Sequence, residues 1–230
     1  MRGTRDVGAG RPCWFPQALP REVLKSLELL KELSGIEDFY LAGGTGLALQ
    51  TGHRPSVDLD FFSGRNLLDF DGRNVLLQNL YREAGFTLVE EKEGTLHGRI
   101  GKTALSFFRY SYPLIRPLRR REGISIASIE DIALMKLGAL IGRGMRKDFI
   151  DLYFILQNIR FQLLLRLARK KFRNVEDFPL QVLKAFVFFE DAEKERMPLV
   201  HKKVSWPQIR IFFESQASSF RKKPDRFGRG

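Results

Sequence analysis

The chain has 230 residues, of which 43% are apolar, so it can form one large domain or a core domain with a smaller companion. Its formal net charge of +12 favours a polyanionic partner, usually nucleic acid, although a basic surface without a specific partner has the same composition. No apolar run reaches the roughly 18 residues of a membrane span, no secretory pattern is present, and a single cysteine, Cys13, excludes an internal disulfide, which together indicate the cytoplasm.

The first half of the chain shows a mixed pattern of helices and strands. Residues 1–19 carry Gly, Pro and Arg without periodicity and are interpreted as a flexible lead. The elements predicted after this lead are a helix at 20–34, a strand at 38–42, a short helix from 43 to about 50, a strand at 57–62, a helix at 67–83, and strands at 87–91, 95–100, 103–110 and 124–127. Alternating helices and short strands of this kind predict a small mixed sheet.

From residue 128 onward the apolar spacing is mostly helical. Helices are predicted at 128–141, 146–158, 160–171, 178–190 and 206–219, followed by a basic tail over 221–230. The pattern predicts an α+β protein in which a mixed-sheet core over 20–125 is followed by a helical domain over 126–220. The active site is expected in the cleft between them.

Two aspartates lie two residues apart in the strand-like run around Asp58 and Asp60. Because side chains alternate faces along a strand, both carboxylates are expected to project the same way. Two neighbouring carboxylates repel each other unless a cation lies between them. Mg²⁺ fits such a pair because it takes oxygen ligands and retains water, with Mn²⁺ as the other cation that we consider. Two such ions would activate an attacking hydroxyl and stabilise a leaving pyrophosphate.

A Gly-Gly-Thr sequence, Gly43 to Thr45, lies upstream between a predicted strand and a helix. Glycines at a helix N-terminus allow backbone N–H groups to approach a phosphate closely, and Thr45 adds a hydroxyl donor. Alone, a Gly-Gly pair is usually a turn and an Asp-x-Asp is usually a solvated strand edge. Their occurrence together and in this order favours a site that binds a triphosphate and a metal.

The stretch LAGGTGLALQTGHRPSVDLDFFS resembles the signature of the AbiEii/AbiGii-type nucleotidyltransferases. These are toxins of type IV toxin–antitoxin and abortive-infection (phage defence) systems within the DNA polymerase β-like superfamily. The matching residues are Gly43, Gly44, Thr45, His53, Arg54, Asp58 and Asp60. The later stretches HGRIGKTALSFFRYSYPLI and KDFIDLYFI also resemble the family, and the similarity extends over roughly residues 20–215. It implies an enzyme that uses a nucleoside triphosphate to modify RNA, with tRNA as the target, and that has a cognate antitoxin.

One departure from the superfamily pattern concerns a third carboxylate, which many polymerase β-like enzymes place on a following strand. The corresponding run, residues 103–108, contains no acid, and Ser106 is its nearest polar residue. Either two carboxylates are sufficient, or another acid such as Asp148 replaces the third.

Lys136 falls within the apolar stripe of the helix predicted at 128–141. A lysine at such a position is costly unless it reaches solvent or meets an anion. Reaching solvent and contacting a triphosphate are about equally compatible with the pattern, and the family resemblance favours the triphosphate.

The helix predicted at 146–158 opens with Lys147, Asp148 and Asp151, and the two aspartates share a face. Acids in a first helical turn are favoured by the helix dipole alone. The similarity to a family Lys-Asp-x-x-Asp motif instead places Lys147 on phosphate and Asp148 or Asp151 near the metal or against Lys136.

Arg54 and Ser56 precede the aspartate pair and are predicted to bind phosphate or to support the loop, whereas His97 is expected to be structural. Basic runs at 116–121 and 166–173 and in the tail would contact an RNA backbone or make the surface soluble.

The sequence therefore predicts a metal-dependent nucleotidyltransferase. Its assigned catalytic residues are Asp58, Asp60, Lys136 and Asp148, its metal ligands are Asp58 and Asp60, and its nucleotide-binding residues are Gly43, Gly44, Thr45, Arg54, Ser56, Lys136 and Lys147. The predicted acceptor is an RNA 3′ hydroxyl. Two alternatives stay open: an enzyme of the same chemistry that modifies a protein hydroxyl, and a non-catalytic module that binds RNA or a protein.

Overall fold

The computed structural model describes residues 14–221, and its centre is a seven-stranded mixed sheet. The strands are β1 (Tyr40–Leu41), β2 (Leu59–Ser63), β3 (Phe86–Lys92), β4 (Thr95–Ile100), β5 (Thr103–Arg109), β6 (Arg119–Arg121) and β7 (Ile124–Ile126). They lie in the order β3-β4-β5-β2-β1-β7-β6, with β2 parallel to β5 and antiparallel to β1.

The helices surround this sheet and continue beyond it. They are α1 (Arg21–Lys31), α2 (Gly43–Thr51), α3 (Phe70–Ala84), α4 (Ile129–Gly142), α5 (Arg146–Leu156), α6 (Phe161–Lys171), α7 (Phe178–Ala185), α8 (Glu190–Glu193) and α9 (Trp206–Arg221). The strands lie within residues 40–126, and six helices of the described residues, α4 to α9, follow them, so the predicted α+β fold is confirmed. The boundary near residue 125 stays a prediction.

The two faces of the sheet pack against different parts of the chain. Leu59 and Phe61 of β2 lie on one face in a core that α1 and α3 help to form. A second core contains Tyr40 of β1, Leu47 of α2 and the apolar side chains of α4 to α9. Because β2 alternates between buried and partly buried residues, Asp60 and Phe62 point toward the second side.

Aromatic rings dominate the packing of the helical half. Phe149 on α5 packs against Phe189, Trp206 and Phe213, with ring centroids 5.1, 5.6 and 5.2 Å away. Such ring clusters bury a large apolar area for each residue, and they fix α5 against α9. This packing is what positions the first turn of α5 at the site.

Three details of the fold differ from the sequence predictions. The basic run Arg119–Arg121 forms β6, because Glu122 and Gly123 at φ of 48° and 85° make the tight turn that pairs it with β7. The helix predicted at 178–190 ends at Ala185 and α8 begins only at Glu190, because the chain turns between them so that Phe186 and Phe189 are both buried.

The predicted flexible lead is corrected for residues 14–19. Ala18 and Leu19 are buried in the first core, and the Phe15 N–H donates to the Leu49 carbonyl at 2.8 Å. Apolar burial therefore orders this segment against α2. Residues 1–13, including Cys13, and the basic tail over 222–230 lie outside the described residues.

No helix within residues 14–221 is both long enough and apolar enough to cross a membrane.

Candidate active site

A cavity of about 370 Å³ lies where β2, α2, α4 and α5 meet, and most of the predicted site residues line it. The lining residues that the sequence singled out are Gly43, Gly44, Arg54, Ser56, Asp58, Asp60, Lys136 and Lys147. Residues that are up to about 100 positions apart in the chain therefore converge on one cleft. Thr45 and Asp148 are not among the lining residues.

Asp58 and Asp60 occupy the floor of the cavity at the start of β2. Leu59 between them is fully buried in the opposite direction, in the core under α1 and α3. Asp58 immediately precedes β2 and Asp60 lies within it, and both residues line the same cavity, as the sequence predicts. Asp58 is exposed and Asp60 is partly buried.

The glycine turn lies directly against these carboxylates. A Cβ atom added to Gly43, whose φ is 61°, would lie 2.7 Å from Asp60 Oδ2. A Cβ atom added to Gly44 would lie 2.6 Å from Arg54 Nη2 and 3.0 Å from Ser56 Oγ. A side chain at either position would therefore fill the space where the N-terminus of α2 faces the aspartates. Backbone N–H groups at a helix N-terminus favour an anion at this place.

Thr45 has a different position from the one the sequence predicts. Its side chain is buried below the turn, where its hydroxyl is hydrogen-bonded to Ser56 Oγ at 2.8 Å and to the backbone carbonyl of Asp58. Thr45 thus ties the segment that leads into β2 to the first turn of α2. It fixes the distance between the glycine turn and the aspartates, and its hydroxyl is engaged away from the cavity.

A buried ion cluster supports the cavity from behind, and Asp151 of α5 is its centre. This carboxylate accepts hydrogen bonds from Arg54 Nε at 2.6 Å and Nη2 at 2.9 Å, contacts His53 Nε2 at 2.8 Å, and pairs with Lys136 Nζ at 2.7 Å. Burial alone would raise the pKa of Asp151, but Lys136, Arg54 and His53 outweigh it and hold that pKa well below its usual range. Asp151 is therefore a fixed anion that holds three side chains in place.

Asp148 is the second anion of this cluster and is fully buried. It accepts a hydrogen bond from Lys136 Nζ at 2.8 Å and from Arg143 Nε at 3.1 Å. Its predicted place as a replacement third carboxylate near the metal does not match this geometry, because both oxygens already bind cations behind the cavity wall. Its contact with Lys136 matches the other predicted position, against that lysine.

Lys136 joins the cluster to the cavity. Burial alone would lower its pKa, but the charges of Asp151 and Asp148 outweigh burial and raise it, so the ammonium group stays charged. Arg143 and Lys147 bring two more cations to the same cavity. The part of the cavity wall that these three side chains form therefore carries a positive charge suited to a polyphosphate.

The surroundings of Asp60 disfavour its charged form, in contrast to those of Lys136 and Asp151. Burial raises its pKa, the charge of Asp58 raises it further, and Lys136, Lys147 and Arg143 only partly oppose this. A cation bound beside Asp60 would offset the unfavourable free energy of its ionised form. The donor set fits Mg²⁺, because two carboxylates leave further positions for phosphate oxygens and water. Within residues 14–221 no cluster of three or more His, Cys, Asp or Glu is arranged to hold a metal, so the aspartate pair needs such outside ligands.

Ser106 occupies the place beside Asp60 on the neighbouring strand. The two residues are paired in register on the parallel strands β2 and β5. His97, the register partner of Ser106 on β4, lies with Nδ1 2.9 Å from Ser106 Oγ. A serine–histidine pair therefore lies beside Asp60, and the neighbouring strand β5 contains no acid.

Arg143 is a charged lining residue that the sequence pattern did not single out. It is the C-cap of α4, three residues before the start of α5, in a short stretch with no periodic pattern. The basic run GRGMRK was the available signal, but only the packing of α4 on α5 shows which of its cations reaches the cavity.

The side chains of the predicted basic runs are exposed only in part. Arg119, Arg120 and Arg121 are exposed on β6, and the exposed side chains of the second run include Arg166 and Lys170. Lys171 in that run is instead buried, and it donates to Asp131 Oδ1 at 2.9 Å and to the Pro113 carbonyl at 2.8 Å.

The chain shares its fold with solved structures that are described as nucleotidyltransferases. A crystal structure of a candidate nucleotidyltransferase from Helicobacter pylori aligns over 92% of this chain and 100% of its own, at a TM-score of 0.52 and 18% identity. The nucleotidyltransferase toxin MenT4 of Mycobacterium tuberculosis aligns over 89% of this chain and 86% of its own, at a TM-score of 0.51 and 15% identity. At these identities the similarity establishes the fold.

Sequence comparison identifies the family. The model of the family "Nucleotidyl transferase AbiEii toxin, Type IV TA system" matches residues 28–226. An uncharacterized protein of Aquifex aeolicus (strain VF5) is 35% identical over 208 residues, which cover 88% of this chain and 97% of the relative. The chain belongs to the AbiEii nucleotidyltransferase toxin family of type IV toxin–antitoxin systems.

Proposed function

We propose that this protein transfers a nucleoside monophosphate from a nucleoside triphosphate to the 3′ hydroxyl of an RNA, with tRNA as the acceptor. The observation that carries the proposal is the close approach of the glycine turn at Gly43 to the carboxylate of Asp60, in a cavity that Lys136, Arg143 and Lys147 also line. This arrangement offers N–H donors and positive charge for a triphosphate and two carboxylates for a divalent cation.

Each group has a place in the proposed reaction. The backbone at Gly43 and Gly44 binds the β- and γ-phosphates, and Lys136, Arg143 and Lys147 neutralise them. Asp58 and Asp60 would hold Mg²⁺ or Mn²⁺, which would supply positive charge for the reacting phosphate. The acceptor oxygen forms a bond to the α-phosphorus, the bond to the bridging oxygen of the β-phosphate breaks, and pyrophosphate leaves. The proton of the hydroxyl passes to water in the cavity.

The supporting residues keep this geometry fixed. Thr45 and Ser56 hold the segment before β2, while Asp148 and Asp151 hold Lys136 and Arg54. Asp148 is therefore proposed as a positioning residue for Lys136. Preorganised groups of this kind stabilise developing charge without reorganisation during the reaction.

RNA is the favoured acceptor because the chain carries a net charge of +12 and exposes arginines along β6. Membership of a type IV toxin–antitoxin family supports a cognate antitoxin as a further partner. The alternative acceptor, a protein hydroxyl, lacks a comparable observation.

The test is incubation of the protein with each α-labelled nucleoside triphosphate, Mg²⁺ and total RNA. We expect label on RNA, its loss with a chelator, and at least a 1,000-fold slower transfer by the Asp58→Asn/Asp60→Asn double variant. Label on protein would favour the protein-modifying alternative. No label with any nucleotide would favour a binding module, and undiminished transfer by the folded double variant would refute the site.

A further inference from the structure

The direction from which the acceptor approaches follows from the order of the strands, if the proposed nucleotide transfer holds. Attack on the α-phosphorus is in line with the departing pyrophosphate, so the acceptor and the pyrophosphate lie on opposite sides. The glycine turn at Gly43 follows β1, which neighbours β2 on one side, whereas β5 neighbours β2 on the other. The acceptor is therefore expected above β5 and β4.

The side chains on this part of the sheet form what we call the acceptor face, which consists of Asp60, Phe62, Ser106, Phe108, His97 and Arg99. Register places Asp60, Ser106 and His97 in one row across β2, β5 and β4, and Phe62 and Phe108 side by side in the next. Neighbouring strands are about 4.8 Å apart, so the face is continuous with the catalytic aspartate.

The aromatic part of the acceptor face has a ring that neither core covers. Phe62 and Phe108 are stacked with centroids 5.1 Å apart and an interplanar angle of 24°, and His97 meets Phe108 edge-on at 5.2 Å. Phe107, one residue before, is fully buried, whereas Phe108 is partly exposed and is absent from both cores. A partly exposed ring beside a catalytic centre is the kind of surface on which a nucleobase stacks.

The polar part of the face complements a ribose and a phosphate. The Ser106–His97 pair, with 2.9 Å between Oγ and Nδ1, offers hydrogen-bonding groups next to Asp60. Arg99 is exposed on the same face of β4, two residues from His97. Along β5 and β4 the stacked rings, the polar pair and the arginine lie in three successive rows, and the polar pair is in the row of Asp60. This is also the order of the base, the ribose and the phosphate in a nucleotide.

We propose that the acceptor face is the binding subsite for an unpaired nucleotide at the 3′ end of an RNA strand. The terminal base stacks on Phe108, the ribose hydroxyls bind the Ser106–His97 pair, and Arg99 binds the preceding phosphate. Recognition by stacking and charge requires single-stranded RNA at the end, and it is independent of the base.

The first test measures binding of a fluorescent RNA hairpin with a four-nucleotide single-stranded 3′ overhang, in the absence of nucleoside triphosphate. We expect Phe108→Leu, which keeps an apolar side chain but removes the ring, to weaken binding at least about fivefold. Phe70→Leu, which changes an exposed phenylalanine on α3, is the matched control and should leave the affinity unchanged. Equal affinity of the two folded variants would overturn the inference.

A second variant keeps the test decisive if Phe108→Leu does not fold. Arg99→Gln should weaken RNA binding and reduce the slope of log affinity against log salt by about one, as loss of one phosphate contact does. Arg82→Gln on the exposed surface of α3 should change neither quantity. An unchanged slope for Arg99→Gln would contradict the subsite.

Steady-state kinetics distinguish a failure of the proposed subsite from a failure of the proposed reaction. Among variants that transfer nucleotide, Phe108→Leu should raise the KM for RNA at least about fivefold and leave the KM for the nucleoside triphosphate unchanged. If the wild type transfers nucleotide to RNA and this KM is unchanged, the subsite fails and the proposed function stands. If the wild type transfers nothing, the proposed function fails and the binding measurements still decide the subsite. Label on protein instead of RNA would overturn the inference.

Discussion

The two sets of charges around the cavity are neutralised to very different degrees. Behind the wall, Asp148 and Asp151 are fully buried and each contacts at least two cationic or imidazole groups. At the floor, Asp58 and Asp60 face a common cavity and each other. The opposite charges of the buried cluster balance one another, which suits a structural role. The two aspartates repel each other, which suits the binding of a cation. Substitutions in the two regions should therefore have opposite effects on stability.

The largest expected effect is on the stability of the scaffold. Lys136→Met removes the ammonium that contacts both Asp148 and Asp151 and leaves buried carboxylates partly unpaired. Loss of one partner from a buried ion pair costs about 3–5 kcal/mol, so the free energy of unfolding in urea should fall by that amount. Lys170→Met, on the exposed side of α6, should leave the free energy of unfolding within about 0.5 kcal/mol of wild type. An equally stable Lys136→Met protein would show that the cluster does not support the fold.

The next effect concerns the contact between the two halves of the site. Gly43→Ala places a Cβ atom 2.7 Å from Asp60 Oδ2, so the carboxylate must move and transfer should slow about 100-fold. Gly85→Ala is a matched control, because Gly85 has a φ of 59° but no atom within 4 Å of the added Cβ. Both variants should lose about 1 kcal/mol of stability from the left-handed backbone. If Gly43→Ala and Gly85→Ala transfer nucleotide equally fast, the turn does not shape the metal site.

A substitution of Lys147 tests whether the cations that line the cavity bind the triphosphate. Its side chain lines the cavity next to the buried cluster, and Lys147→Ala should raise the KM for the nucleoside triphosphate about tenfold, the effect of one lost hydrogen bond to a charged group. Stability should stay within about 0.5 kcal/mol of wild type, in contrast to Lys136→Met. Steady-state kinetics with Lys184→Ala as the control would measure this. An unchanged KM would place the triphosphate elsewhere.

The smallest expected effect is a gain in stability at the floor of the cavity. The folded state raises the pKa of Asp60 above its unfolded value, so its ionised form costs stability, and this cost grows as pH rises from about 4 through the folded pKa. Without metal at pH 7, Asp60→Asn should therefore raise Tm by about 2–4 °C, which corresponds to about 1 kcal/mol. At pH values near 3.5 the difference should vanish.

Mg²⁺ with a nucleoside triphosphate should stabilise the wild type and reverse the difference between it and Asp60→Asn. Glu176→Gln, an exposed change of the same kind, should shift Tm little at either pH. A lower Tm for Asp60→Asn at pH 7 without metal would mean that the carboxylate belongs to the scaffold.

The features of the fold and the site that depend on local periodicity could be predicted from the sequence. The two-residue period of a strand is local, so the common direction of Asp58 and Asp60 was predictable and the structure shows it. The order of helices and strands followed from periodicity for the same reason. β6 was missed because Arg119–Arg121 has no apolar pattern, and its pairing depends on backbone hydrogen bonds and the turn at 122–123.

The roles of single polar residues depended on tertiary packing and could not be predicted from the sequence. Spacing showed that Asp148 and Asp151 share a helix face, but only the packing of α5 on α4 decides that both bind Lys136. Thr45 follows the glycines as a phosphate-binding residue would, yet its rotamer points to the Asp58 carbonyl. The spacing of residues in the sequence shows neither the contacts of Lys136 nor the hydrogen bond of Thr45.

The most direct test of the central claim is Mn²⁺ binding measured by electron paramagnetic resonance with a non-hydrolysable nucleoside triphosphate analogue. The wild-type protein with the analogue should immobilise Mn²⁺ at least tenfold more tightly than the Asp58→Asn/Asp60→Asn variant, with both proteins folded by circular dichroism. Equal Mn²⁺ affinity in the two proteins would contradict the claim that this pair of side chains holds the cation at the nucleotide.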